Sequence, residues 1–378
     1  MTLPAKRRSP ALDGVRGFAL LIVVIHNTAW ISGPSEQLLV KLYAAGAAAG
    51  WVGVQLFFVL SGFLITGILM DTRRSPDYLR RFFIRRALRI FPLYFVGIAI
   101  AVLLAATLAQ NTDWANSVDR YQWAYWTYVS NWTDPFTGGI PGLSHLWSLA
   151  IEEQFYFLWP LAVWRTPSHK ILRILVALVA AAPLMRFGMI AAGMPPITSY
   201  SFTIARVDAL AIGALLALCL QDDRLRIQLF RWLPAITAVS TSVLGALAFH
   251  QRGLHALESP VLIYGQTLTA VLSACLIAWT QKDPVSGGGK MSRIMTNGLL
   301  RDLGKYSYAI YLIHAPLHAV FNEYATPIVR ASDGPLHLPR LLAYTVFVLA
   351  LSYGASRITW LILEQPALRL KDRLTRAS

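Results

Sequence analysis

His26 lies in an apolar run, 15–31, ten residues or about 15 Å of helix beyond Arg16 and so near mid-membrane. A neutral imidazole there has the basicity to take a proton from a hydroxyl. The other reading of this residue, a core histidine bonded to a backbone carbonyl, is equally compatible with its position. A second polar set falls in another apolar run, 145–164. His145, Ser148, Glu152 and Tyr156 recur at helical spacing and align on one face, with Trp147 beside them. Glu152 and Glu153 are adjacent, and successive helical residues point about 100° apart. Glu152 is therefore expected to face a site while Glu153 packs against a neighbour. A carboxyl at that depth stays neutral or pairs with a cation, which suits a proton carrier or an orienter of His26. A structural ion pair between helices is the alternative. The third set is basic: Arg85, Arg86 and Arg89, within Arg80 to Pro92, share a face of an amphipathic helix. Guanidinium groups bind phosphate in bidentate fashion, so these arginines predict a phosphate-rich cytoplasmic ligand, against a topological or lipid-headgroup role.

Smaller groups complete the set. Ser307, Tyr308, Tyr311 and His314 recur at helical spacing in the run 303–325. Arg206 and Asp208 open the run 203–221, where they are placed to pair or to hold a polar acceptor. Glu364, before Gln365 and Pro366, reads as a cap or salt bridge at the end of the last run.

The elements that must position these residues are membrane spans. The chain is 56% hydrophobic and only 14% charged, and a run of about 20 apolar residues crosses a bilayer core as a helix. Spans are predicted at 15–31, 51–70, 91–110, 145–164, 171–190, 203–221, 231–249, 259–280, 303–325 and 340–363. The fold class is therefore all-α, a polytopic bundle of about ten spans with both termini cytoplasmic. Tyr121 to Trp132 is aromatic but polar and reads as an interfacial or re-entrant helix.

The net charge of +15 raises nucleic acid as a partner, but 22 of the lysines and arginines fall in predicted cytoplasmic segments and four in external loops. That bias is topological, and nucleic acid is excluded as a partner. Cys219 and Cys275 lie in apolar runs without metal-type spacing, so neither a metal site nor a disulfide framework is expected. Lys6-Arg7-Arg8 precedes a first span read as retained, because Arg16 and His26 interrupt it. Gly287-Gly288-Gly289 marks a cytoplasmic loop. One transmembrane domain, 1–378, is expected, with 371–378 as a short cytoplasmic tail and no appended soluble domain.

Ionisable groups in hydrocarbon are costly and usually serve function. From the residues alone an enzyme, a proton-coupled transporter of a polar solute and a scaffold of paired charges all remain open.

Taken in order, the motifs resemble the acyltransferase 3 family of membrane acyltransferases. They are Leu12-Asp13-Gly14-Val15-Arg16-Gly17, then Phe57-Phe58-Val59-Leu60-Ser61-Gly62-Phe63, then Arg86-Ala87-Leu88-Arg89-Ile90-Phe91-Pro92, and His145-Leu146-Trp147-Ser148-Leu149 running on to Glu152, Glu153 and Tyr156. Arg206-Val207-Asp208, Ser307-Tyr308-Ala309-Ile310-Tyr311-Leu312-Ile313-His314 and Glu364-Gln365-Pro366 follow.

The resemblance implies transfer of an acyl group, usually acetyl from acetyl-CoA as co-substrate with no bound cofactor, to a hydroxyl of a carbohydrate or glycolipid at a bacterial inner membrane. It implies His26 with Glu152 and Glu153 as the catalytic group, by direct transfer or through an acyl-histidine, and Arg86 and Arg89 at the acyl-CoA, with Arg85 beside them. Arg16, Ser61, His145, Trp147, Ser148, Tyr156, Arg206, Asp208, Tyr311 and His314 are expected to contact substrate or support the site. One feature departs from the pattern. Nine residues separate Arg16 from His26 where the family has ten, so ten helical steps leave the two about 80° apart.

Overall fold

The computed structural model describes residues 9–107, 110–282, 289–331 and 334–376. Lys6, Arg7, Arg8, Gly287, Gly288 and the last two residues of the expected tail lie outside the described residues. Helices occupy nearly all of the rest. In chain order they are α1 (Pro10–Ala29), α2 (Leu38–Ala48), α3 (Val52–Thr72), α4 (Tyr78–Thr107), α5 (Asp113–Trp126), α6 (Ser130–Thr137), α7 (Trp147–Arg165) and α8 (Ser168–Ala191). They continue as α9 (Pro196–Ser201), α10 (Thr203–Gln221), α11 (Asp223–His250), α12 (Gln266–Gln281), α13 (Lys290–Met295), α14 (Gly298–Arg330), α15 (His337–Thr359) and α16 (Gln365–Arg376).

Among the described residues, eight segments built on α1, α3, α4, α8, α10, α11, α12 and α15 are long and apolar enough to cross a membrane. The other two expected spans coincide with helices α7 and α14, of 19 and 33 residues, which are more polar over a membrane-crossing stretch than these eight. The second half of α11 exposes the large apolar side chains Ile236, Val239, Val243 and Phe249. Such a surface needs a lipid solvent.

Several boundaries differ from the expected ones, each for a local reason. The arginine-rich segment and the third span form one helix, α4, because Pro92 leaves the chain helical while removing only its own N–H. Helix α2 lies in what the sequence offered as a loop, and its Leu38, Leu39 and Leu42 are exposed. The aromatic stretch Tyr121 to Trp132 splits between α5 and α6, with Tyr128 at a φ of 55° between them. Neither piece is long enough to span. Glu364 does not end the last helix: a π-helical turn, Trp360–Glu364, carries the chain directly into α16.

The inner helices are held by close backbone approach. α1 packs along α14 and α3 along α10, the two most extensive pairings in the bundle. A methyl group on Gly304 would lie 1.7 Å from the Asp13 carbonyl oxygen, and one on Gly213 would lie 2.0 Å from that of Val59. Small residues at such crossings let helices meet without a solvent-driven term. Because backbone cannot turn aside as a side chain can, Gly304→Val is expected to separate α1 from α14 and cost about 1–3 kcal/mol. A thermal midpoint in detergent equal to that of the wild type would contradict this packing.

Candidate active site

Two cavities occupy opposite ends of the same helices. The first, of about 260 Å³, takes Arg16 from α1, Phe57 to Ile68 from α3, Arg86 and Arg89 from α4, Ser148, Glu152 and Tyr156 from α7, and Ser307, Tyr308 and Tyr311 from α14. The second, of about 520 Å³, takes Val23, His26 and Asn27 from α1, Trp51 and Val54 around the start of α3, Asp134 and Phe136 from α6, and His145, Trp147, Tyr200 and Tyr311. The arginine cavity thus follows the first half of α1 and the histidine cavity its last turns. About 15 Å of helix separates Arg16 from His26.

In the arginine cavity the carboxylates divide as expected from their 100° offset. Glu152 lines the cavity and accepts a hydrogen bond from Ser61 Oγ at 2.5 Å. Glu153 turns aside, its Oε1 4.0 Å from Arg86 Nε. The Arg86 guanidinium lies on the Tyr156 ring, 3.7 Å from its centroid. Arg86 and Arg89 line the cavity; Arg85 does not and is exposed. The expected shared face therefore holds for the pair three apart and fails for Arg85. Arg16 lines the same cavity and is bridged to Asp13 one turn earlier, at 3.1 Å.

In the histidine cavity His26 sits in the last turn of α1, nearer the helix end than the mid-depth expected from sequence. Its Nδ1 lies 2.7 Å from the Ala47 carbonyl oxygen. A carbonyl only accepts, so in the neutral ring Nδ1 carries the proton and Nε2 keeps its lone pair. The approach is tight: a methyl on Gly50 would lie 2.4 Å from His26 Cβ.

This arrangement corrects the expectation that Glu152 orients His26. The two line different cavities, and the Ala47 carbonyl fixes the imidazole instead. The physical reason lies along α1: Arg16, which shares the cavity of Glu152, and His26 are ten residues or about 15 Å apart on one continuous helix, so they open to cavities at opposite ends of it.

His145 also leaves the face expected for it. It belongs to a 3-10 turn, Ser144–Leu146, ahead of α7, and opens to the histidine cavity while Ser148, Glu152 and Tyr156 face the arginine cavity. Trp147 shares the histidine cavity with His145. His314 lines neither cavity. Its Nδ1 is 2.6 Å from the Tyr311 carbonyl oxygen, and its Nε2 accepts from Asn27 Nδ2 at 2.8 Å, so it positions the neighbour of His26.

Arg206 and Asp208 do not pair, because residues two apart on a helix point about 200° apart. Asp208 is bridged to Arg186 at 3.0 Å, both groups fully buried, with Thr267 bonded to each. Arg206 is buried in a cage of Phe58, Trp147 and Tyr200 rings and donates to the side-chain oxygens of Gln55 and Gln266. Neither Arg206 nor Asp208 lines either of these two cavities.

Several lining residues escaped the sequence reading, chiefly Asn27, Asp134, Phe136 and Tyr200. Asp134 accepts from Tyr125 Oη at 2.8 Å, and Tyr125 Oη in turn accepts from the Ile140 N–H at 3.0 Å. Burial raises the Asp134 carboxyl to about 6, against the hydrogen bonds from Tyr125 and Thr133 that hold it down. Among the described residues no group of three or more His, Cys, Asp or Glu side chains is placed to hold a metal ion.

The two-cavity site spans motifs from α1 to α14, and residues 9–357 match the model of a single family, described as an acyltransferase domain. The chain belongs to this acyltransferase family. It is 28% identical over 365 residues to a peptidoglycan O-acetyltransferase of Listeria monocytogenes, a match covering 92% of this chain and 54% of the relative. A putative peptidoglycan O-acetyltransferase of Bacillus subtilis is 29% identical over 371 residues, 92% of this chain and 54% of that protein. An O-acetyltransferase of Staphylococcus aureus is 29% identical over 340 residues, 84% and 52% of the two chains. The chain spans about half the length of the curated relatives it matches. No solved structure matches it.

Proposed function

We propose that this acyltransferase is an O-acetyltransferase of the bacterial inner membrane, moving an acetyl group from cytoplasmic acetyl-CoA to a hydroxyl of a cell-surface or lipid-linked carbohydrate. The observation that carries this reading is the contrast between the two cavities. One holds three arginines and the other no lysine or arginine, with aromatic rings, Asn27 and Asp134 in their place. A polyphosphate donor is matched to the first. A sugar, with apolar ring faces and many hydroxyls, is matched to the second. The positive-inside bias directs the arginine cavity to the cytoplasm and the histidine cavity outward. The relatives' names, which specify acetyl transfer to peptidoglycan, point the same way.

In this reading the donor's phosphates meet Arg86 and Arg89, and its thioester extends towards His26. Nε2 takes the acceptor's hydroxyl proton as the oxygen attacks the carbonyl carbon. The carbon–sulfur bond breaks, and the proton passes on to the departing thiolate. Asp134 accepts hydrogen bonds from other hydroxyls of the sugar.

The reading is tested with purified protein given acetyl-CoA and soluble peptidoglycan fragments, following thiol release together with the mass of the glycan. One added acetyl per thiol released is expected. Unmodified glycan, across a panel of cell-surface carbohydrates, would sink the reading.

Asp134 adds a pH dependence with a definite sign. With its carboxyl raised to about 6 it is ionised at pH 7 and protonated at pH 5, where it loses capacity to accept hydrogen bonds. The KM for the acceptor is expected to rise about tenfold between pH 7 and 5. In Asp134→Asn it should be high and flat over that range, and a variant that kept the wild-type slope would exclude Asp134 from the acceptor site.

A further inference from the structure

Among the described residues Val54 and Tyr311 are the two that line both cavities. Both are nearly enclosed, with 8% and 7% of their surface exposed. Tyr311 is fastened on several sides. Its hydroxyl lies 2.6 Å from Ser148 Oγ and 3.1 Å from the His145 carbonyl oxygen, which Ser148 Oγ also reaches at 3.1 Å. Its ring meets Phe57 edge-on, with centroids 6.1 Å apart, and lies 5.3 Å from the His145 ring. Two hydroxyls and one carbonyl thus pin an aromatic ring where the cavities meet. Ser148 faces one cavity and His145 the other.

On the proposed function, the donor enters from the arginine side and the base, His26, lines only the histidine side. The acetyl carbon must therefore pass between the cavities, whose shared lining is Val54 and Tyr311. We infer that the Tyr311 ring, fastened to Ser148 and bordering both cavities as Val54 does, is a partition that determines whether the acetyl group goes to the acceptor or to water. In productive transfer a carbon–oxygen bond to the acceptor forms and the carbon–sulfur bond breaks, yielding one ester and one thiol. In the leak a water oxygen forms that bond instead, and its protons leave with acetate and the thiol. Both routes release one thiol, and only the first leaves an ester. Water in the wider histidine cavity reaches the thioester when the ring no longer fills the junction, because a cavity that large and polar is hydrated.

The experiment reads the ratio of ester to thiol, which loss of folded protein does not alter. Purified full chain is given acetyl-CoA alone and acetyl-CoA with soluble peptidoglycan fragments. Tyr311→Ala is expected to raise acceptor-free thiol release at least tenfold and to lower ester per thiol in the presence of the fragments. Val54→Ala, which thins the same shared lining, should shift both in the same direction to a smaller degree. Tyr311→Phe keeps the ring but loses its fastening to Ser148, and its ester per thiol should fall between the wild type and Tyr311→Ala. A folded Tyr311→Ala protein with wild-type ester per thiol and no added hydrolysis overturns the partition. If that variant does not fold, the Val54→Ala ratio decides by the same criterion. Wild-type protein that forms no ester with any carbohydrate overturns the proposed function and the partition with it, whereas ester formation with fully coupled variants overturns the partition alone.

Discussion

His26→Ala is expected to lower acetyl transfer by about 10²–10⁴-fold, the usual loss on removing a positioned general base, while the bundle stays assembled. The geometry explains why stability and activity should separate. His26 is only partly enclosed, in the last turn of a helix, and its ring already borders open space. Removing it enlarges a hydrated cavity rather than emptying a packed core, and costs a single hydrogen bond, to the Ala47 carbonyl. Elution as a monodisperse species with unchanged helical content would show the fold intact, and ester formation followed by mass spectrometry would report the chemistry. A folded variant that transfers acetyl at the wild-type rate would remove His26 from the mechanism. His314→Gln should lose far less, because that residue acts on Asn27 from outside the cavity.

The comparison of His26 with Glu152 shows where sequence information stops. Periodicity alone placed Ser148, Glu152 and Tyr156 on one face and turned Glu153 away, and that is how α7 presents them. Such local arguments succeed because helix geometry is fixed once a residue is known to be helical. They fail at the ends: His145 lies one turn too early, in a 3-10 segment whose phase differs from that of α7.

The link between His26 and Glu152 was a statement about two helices distant in the chain, and no spacing within either one contains it. The partner of Asp208 was hidden for the same reason. Arg186 lies on α8, and only the packing of α8 on α10 brings it to 3.0 Å. Hydropathy gave the spans themselves, apart from α2 and the division of the aromatic stretch into α5 and α6. Those short helices supply Asp134 and Phe136 to the histidine cavity, so the part least legible in the sequence includes the wall read as the acceptor site. Binding residues are often carried by such connecting segments, whereas the arginines sit on a long helix.

The arginine cavity yields the second large effect. Replacing Arg89 by alanine should raise the KM for acetyl-CoA by roughly 10–100-fold, from the loss of a charge-assisted phosphate contact of about 1.5–3 kcal/mol. The KM for the acceptor should change little, because Arg89 lines the arginine cavity and not the other. Arg86→Ala should show the same donor defect with an added loss of stability. Arg86 covers the Tyr156 ring and faces Glu153, so its removal leaves a buried carboxyl without its cation. Arg89 in turn acts electrostatically on Glu364, so folded yield is compared for both variants. Lysine at position 89 should restore only part of the affinity, since an ammonium keeps the charge but not the bidentate fork. Steady-state kinetics with each substrate varied in turn separates the outcomes. A donor KM unchanged in both alanine variants would take acetyl-CoA out of the arginine cavity and, with it, the direction of transfer argued from the positive-inside bias.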